Sequence, residues 1–365
     1  MKKIKVYLVL LFAALYCTNA KILMQPYLQA LVPGGVCIMV ESDTKIPIKV
    51  EYGSQGALNK TAGTNFYVQT DKNEEPTYVH RIYLSGLDPY TTYKYRASQG
   101  DESKTENYSF RSAPSYDTPY KLAVMGDCRS NTKVHGEIAK KILQYEPSFS
   151  IYTGDLCYNS SYEKYKSEFF IENELELSAR VPFFNAVGNH EAWKENTKAF
   201  TQAPSSLSGA QDYYSFDMGY AHFLILSTET TCCKGSEQYK FIEEDLKQTK
   251  AKWIIAAFHE SAYCYGGHGD NSMMKKVSEE LFVKYHVNLV VTGHSHFYQH
   301  NIVDGIHHIT MAGGGAPLYN PETSKYTVKS AKEHHFGIVE MSAALLKLTV
   351  YSLEGKIIDQ VEITK

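Results

Sequence analysis

The sequence predicts two domains: an all-β sandwich over residues 21–115 and an α/β sandwich over residues 120–365. In the second, βαβ units build two central sheets flanked by helices. Three observations carry this expectation. Short β-branched and aromatic segments recur before residue 115. Apolar strand-like runs alternate with helical stretches after residue 120. Five polar motifs each stand directly behind such a run, four of them introduced by glycine.

The first domain rests on segments 36–41, 48–52, 78–84, 92–98 and 108–112, separated by turn signals such as Pro33-Gly34-Gly35, Gly53-Ser54 and Asp88-Pro89. Short strands with turns at this spacing build sandwiches. The stretch Leu87-Asp88-Pro89-Tyr90-Thr91-Thr92-Tyr93 resembles the Leu-x-Pro-x-Thr-x-Tyr corner of fibronectin type III-like modules. Ser112-Ala113-Pro114-Ser115 closes the domain as a linker.

Beyond Tyr120, strands are expected at 121–125, 149–153, 183–187, 222–227, 253–258 and 287–292. Helices are expected at 134–145, 162–177, 236–249 and 272–285, and a β tail from 306 to 363. Alternation of this kind argues helices layered on a sheet.

Composition sets the outer bounds. A chain of 365 residues, 43% hydrophobic and 21% charged, is ordinary for a folded protein. A net charge of −3 provides no basic field, so no nucleic-acid partner is expected. The 29 tyrosines suit β-sheet. Nothing in the sequence bears on oligomeric state.

Residues 1–20 read as a targeting segment. Lys2, Lys3 and Lys5 precede an apolar run over 6–17, and Thr18-Asn19-Ala20 resembles a cleavage site. A secreted or periplasmic protein cut after Ala20 is expected. The alternative is lipid anchoring through Cys17, which Tyr16 disfavours because that signal wants a small residue there. No other stretch reaches the roughly 18 apolar residues of a membrane span. Export permits disulfides among Cys37, Cys128, Cys157, Cys232, Cys233 and Cys264. Cys232-Cys233 is expected to pair with other cysteines or to sit in a strained loop. Asn59, Asn107 and Asn159 lie in Asn-x-Ser/Thr sequons.

The chemistry resides in Gly126-Asp127, Gly154-Asp155, Gly188-Asn189-His190-Glu191, His259 and Gly293-His294-Ser295-His296. Open α/β folds gather ligand-binding groups beyond the carboxyl ends of their strands, so the five ends should converge. Taken singly, Gly-Asp is a turn and Gly-Asn-His a loop; their joint order gives the reading its weight. Carboxylate, imidazole and amide oxygens suit iron(III), manganese(II) or zinc(II). Two such ions about 3.5–4 Å apart can clamp both oxygens of an in-line phosphoryl displacement and acidify bound water.

The series Gly-Asp…Gly-Asp-x-x-Tyr…Gly-Asn-His-Glu…His…Gly-His-x-His resembles the calcineurin-like metallophosphoesterases. Within them it resembles the purple acid phosphatases, because Tyr158 follows Asp155 by three residues. The resemblance spans nearly all the chain beyond residue 20. It implies one metal, iron(III), on Asp127, Asp155, Tyr158 and His296. It implies a second, iron(II), zinc or manganese, on Asp155, Asn189, His259 and His294, with Asp155 bridging. It further implies that His190 contacts phosphate or protonates the leaving oxygen, and that His268 binds substrate. Two departures stand out. Cys128-Arg129 replaces the usual x-Gly, which makes Arg129 a candidate fork onto phosphate, with solvent or a carboxylate as the alternative facing. Glu260-Ser261-Ala262 lacks the usual nearby proline.

The implied activity is hydrolysis of a small phosphorylated substrate, a phosphomonoester, by metal-bound hydroxide without a phosphoenzyme. The rivals are a phosphodiesterase or nucleotidase on the same centre and a surface glycan-binding protein with a vestigial centre. His307-His308 and His334-His335 read as structural or surface residues, and His135 as a helix residue near the site.

Overall fold

The computed structural model describes residues 20–72, 75–100, 103–204 and 210–365. Apart from Ala20, the targeting segment with Cys17 lies outside the described residues. Among the described residues no helix is long and apolar enough to cross a membrane.

Two sheets face each other across the main core. One has seven strands, centred on the parallel run Ala221–Ile225, Trp253–Ala257, Leu289–Thr292 and Ile306–Met311. The other has ten strands, and its middle holds the parallel run Tyr120–Met125, Phe149–Tyr152 and Phe183–Asn185. These strands are mostly apolar because both faces are largely covered. Leu122 and Val124 enter the core between the sheets, while Ala123 and Met125 pack outward with Ile138, Ala139 and Ile142 of helix Thr132–Gln144. Ile255 and Ala257 likewise face inward, and Ile254 and Ala256 meet Ile242 and Leu246 of helix Glu237–Gln248. The period of two thus decides which side chains meet helix and which meet sheet.

The N-terminal strands form a sandwich whose front sheet is continuous with the ten-stranded sheet. Tyr27–Val32 runs parallel to Phe183–Asn185, with Gln29 opposite Phe183, and pairs on its other side with Gly35–Ser42. The second sheet holds Lys60–Gly63, Lys49–Ser54, Thr92–Gln99 and Ser103–Lys104, with Tyr108–Arg111 also on Thr92–Gln99. The tyrosine corner forms: the Tyr93 hydroxyl accepts the Asp88 N–H at 2.9 Å.

Three expectations need correction. The single helix expected over 162–177 is broken into Tyr162–Lys164, a π-turn Tyr165–Phe169 and helix Glu172–Ser178. The break buries Phe169 and Phe170 against Tyr27, Tyr152 and Phe183 and turns Glu168 inward. The second half of the stretch at 272–285 is likewise a π-turn, Ser278–Phe282. No cysteine is paired: all six described are free, and Cys232 packs its sulfur 3.4 Å from that of Met274.

A buried clasp joins helix Glu237–Gln248 to the seven-stranded sheet. His222 bonds Asp217 at 2.8 Å and Asp245 at 2.6 Å, and Ser215 donates to Asp245 at 2.8 Å. Burial pulls the His222 pKa down, but the bonds to Asp217 and Asp245 outweigh it and push it up to about 9. A raised folded pKa means the contribution is complete below the unfolded value near ~6.5 and is lost as pH rises through the folded one. Stability to urea should therefore fall between about pH 6.5 and 9 by up to about 3 kcal/mol. His222→Gln should flatten that slope, and an unchanged slope in the variant would refute the assignment.

Candidate metal centre

The five motifs converge beyond the carboxyl ends of strands from both sheets. Asp127 follows Tyr120–Met125, Asp155 follows Phe149–Tyr152, Asn189 follows Phe183–Asn185, His259 follows Trp253–Ala257, and His294 follows Leu289–Thr292. Three of these residues sit in the left-handed region, Asp127 at φ 57°, Asp155 at 54° and His294 at 69°. For non-glycine residues this costs on the order of 1 kcal/mol each or more, and such strain gathers at functional sites. Gly154 at φ 94° and Gly188 allow the close approach: a Cβ on the first would meet the His259 ring, and one on the second would meet the Asp155 backbone.

Asp155 lies at the middle and is 1% exposed. Its Oδ1 accepts the His190 N–H at 3.1 Å and lies 3.3 Å from His259 Nε2. Its Oδ2 accepts from Arg129 Nε at 3.2 Å. Burial raises the Asp155 pKa, but His259 and His190 prevail and hold it below the usual carboxylate value.

On one side of Asp155 stand Asn189, His259 and His294. His259 Nδ1 donates to the Thr153 carbonyl at 2.7 Å, which commits that nitrogen and turns Nε2 to the centre. That Nε2 lies 3.0 Å from Asn189 Oδ1 and 3.2 Å from His294 Nδ1. On the other side, one ligand atom from each of Asp127, Asp155 and His296 falls within 4.8 Å of the other two. His296 Nδ1 donates to the Pro317 carbonyl at 2.8 Å, so its Nε2 is the nitrogen turned to the centre. Carboxylate and imidazole groups crowded together in a buried place are the donor set a cation satisfies, and Asp127, Asp155 and His296 form such a group.

The surrounding residues fix these groups. Both Asp127 oxygens accept the His294 N–H, at 3.1 and 3.0 Å. His190 Nδ1 donates to the Tyr158 carbonyl at 2.6 Å, leaving Nε2 3.8 Å from Asp155 Oδ2. The His268 ring lies over His294 with centroids 4.2 Å apart, and burial lowers its pKa. The Tyr158 ring is half exposed at the rim, 5.3 Å from His190. Arg129 points inward, onto Asp155 and His296. Glu191 is fully buried with Oε2 unpartnered, and burial and Asp155 push its pKa up to about 8.

Sequence reasoning did not single out Glu168 and Glu174. Glu168 accepts the N–H groups of Ser130 and Tyr158 at 3.4 and 2.7 Å, so it ties the loops after Asp127 and Asp155 together. Glu174 is bonded by His135 at 3.1 Å and by Tyr152 at 2.8 Å beneath them. The inward turn of Glu168 depends on the π-turn, for which the residue pattern carries no signal.

The comparisons agree with this geometry. The family model for calcineurin-like phosphoesterases matches residues 120–298, and that for the purple acid phosphatase N-terminal domain matches residues 39–112. "Probable purple acid phosphatase 20" of Arabidopsis thaliana is 28% identical over 302 residues, covering 75% of this chain and 68% of that protein. "Probable inactive purple acid phosphatase 1" of the same plant is 24% identical, covering 87% and 64%. The solved structure of purple acid phosphatase PPD1 from yellow lupin (Lupinus luteus) seeds superposes with a TM-score of 0.82 at 20% identity, covering 93% and 74%. The chain thus spans about two thirds of the length of the curated relatives it matches. Over residues 120–298 it is calcineurin-like, of a class of metal-dependent hydrolases of phosphoric esters. Within that class it is purple acid phosphatase-like, in its N-terminal sandwich as well as its catalytic body.

Proposed function

We propose that this chain is an exported phosphatase with a binuclear metal centre that hydrolyses phosphomonoesters. The observation that supports it most is the placement of Asp155, whose Oδ1 lies 3.3 Å from His259 Nε2 while its carboxylate also falls within 4.8 Å of ligand atoms of Asp127 and His296. Asp127, Asp155, Tyr158 and His296 would hold the first ion, assigned to iron(III) by the resemblance. Asp155, Asn189, His259 and His294 would hold the second, iron(II), zinc or manganese. Two such ions stabilise the charge on the phosphoryl oxygens and ionise water near neutral pH.

The chain's own residues supply the rest. His190, with Nδ1 committed to the Tyr158 carbonyl, keeps Nε2 towards the centre, where it can hold the proton that the leaving oxygen needs. His268, stacked on His294 at the rim, stands where it can donate to a phosphate oxygen. Among the described residues there is no P-loop sequence of the Gly-x-x-x-x-Gly-Lys-Ser/Thr type to supply a different phosphate site, and direct displacement with inversion is favoured over a phosphoenzyme.

Turnover of para-nitrophenyl phosphate and of its bis ester tests the substrate class. The monoester should be the better substrate, and a preference for the diester would move the activity to a phosphodiesterase or nucleotidase. The relative named as probably inactive favours a second reading only as far as a silent centre. Metal-dependent release of phosphate would overturn that one.

A further inference from the structure

The loop after Asp127 carries Arg129 where the family pattern has glycine, and the structure turns that side chain onto a carboxylate rather than to solvent. Arg129 is 8% exposed. Its Nε donates to Asp155 Oδ2 at 3.2 Å and its Nη2 to His296 Nε2 at 3.3 Å. The guanidinium carbon lies 5.9 Å from the centroid of the Tyr158 ring. These are three of the four residues assigned to the first metal. Because His296 Nδ1 is committed to the Pro317 carbonyl, Arg129 takes the very lone pair that an ion would need. A guanidinium stays charged at every working pH and presents a rigid fork, so the contact is that of a cation in a cation site.

The other donor set differs. Around Asn189, His259 and His294, among the described residues, no lysine or arginine makes a bond. One half of the centre therefore holds a side chain with a permanent charge, and the other holds imidazoles, which can give up a proton to an incoming ion.

We propose that Arg129 is an intrinsic cation in the first metal position, so that the two positions load in a fixed order. The second position, on Asn189, His259 and His294, fills first. The first fills only as the guanidinium withdraws towards the face of Tyr158. This rests on the two-metal reading above. It assigns Arg129 to metal loading, a positioning role, rather than to direct recognition of phosphate. Tyr158, half exposed and facing the guanidinium, gains its place beside the metal in the same exchange.

Calorimetric titration of metal-free protein with manganese(II) tests it without recourse to activity. The wild type should show a tight and a weak class of site. In Arg129→Met the weak class should tighten by about tenfold or more while the tight class stays within about twofold, since a buried like charge beside the site is removed. Arg129→Lys, which keeps the charge, should leave the weak class near its wild-type affinity. Asn189→Leu should abolish the tight class and spare the weak one. A weak class that is unchanged or weaker in Arg129→Met overturns the proposal, as do two sites of equal affinity in the wild type. Both of those outcomes leave the two-metal reading standing. Uptake of fewer than two ions by wild type and Arg129→Met alike overturns both.

Discussion

Asp155→Asn lowers kcat/KM for a phosphomonoester by about 10³-fold, or ~4 kcal/mol of transition-state stabilisation. The reason lies in how this one carboxylate is shared. Oδ1 faces His259 at 3.3 Å, and Oδ2 faces Arg129 at 3.2 Å. An amide keeps the shape but loses the charge, and it turns N–H bonds towards one of two groups that are not acceptors for them in a metal-loaded centre. Either orientation of the amide spoils one donor set. The same variant should bind at most one manganese ion, while its circular dichroism stays that of the wild type, because the His190 N–H still finds an oxygen in one orientation. A variant that kept both ions and turned over within tenfold of wild type would remove Asp155 from the bridging position.

Arg81→Met costs about 3–5 kcal/mol of stability, the second large effect expected. Arg81 stands on strand Tyr78–Ser85 of the N-terminal sandwich and is 1% exposed. Its guanidinium donates to the carbonyls of Lys198, Ala199 and Thr201 at 2.7, 3.0 and 3.2 Å, to Val79 at 3.1 Å and to the Gln202 side chain at 2.8 Å. Lys198 and Ala199 lie in the last turn of helix Glu195–Phe200, whose final carbonyls have no partner within the helix. A cation at that end also opposes the helix dipole. Methionine fills much of the space but leaves these oxygens buried and unbonded. Arg81→Lys should recover part of the loss and no more, since an ammonium cannot fork across three carbonyls. Urea unfolding reads the effect, and a change below about 1 kcal/mol would mean that water replaces the guanidinium. Because Arg81 is remote from the donor sets, turnover per folded molecule should stay near wild type. That separates this variant from Asp155→Asn.

The contrast between these residues shows what the sequence could carry. Asp127, Asp155, Asn189, His259 and His294 were legible because each directly follows an apolar strand, and the strand ends of an open α/β fold must meet. The direction of Arg129 was not legible. It depends on a loop in which Asp127 and Ser130 both take left-handed backbone, at φ 57° and 73°, and no residue pattern announces that. Glu168 was hidden for a related reason: an apolar period reads as one helix, whereas packing of Phe169 and Phe170 broke it. Arg81 reads as an ordinary strand cation until the chain returns with helix Glu195–Phe200 to meet it. The sandwich itself was expected from its short strands and its tyrosine corner. Its continuity with the catalytic sheet was not, because strand order is a property of distant partners rather than of local composition.

That shared sheet has a consequence for how the chain is made. Tyr27–Val32 is synthesised well before its parallel neighbour Phe183–Asn185, which follows about 150 residues later. At roughly 5–20 residues per second, the early strand waits many seconds with one flank open. An open strand edge is a template for pairing with a wrong chain, and long-range parallel pairing is slow. The vulnerable moment in this protein's life thus falls before its catalytic body exists, when a nascent sandwich needs shielding until its delayed partner arrives.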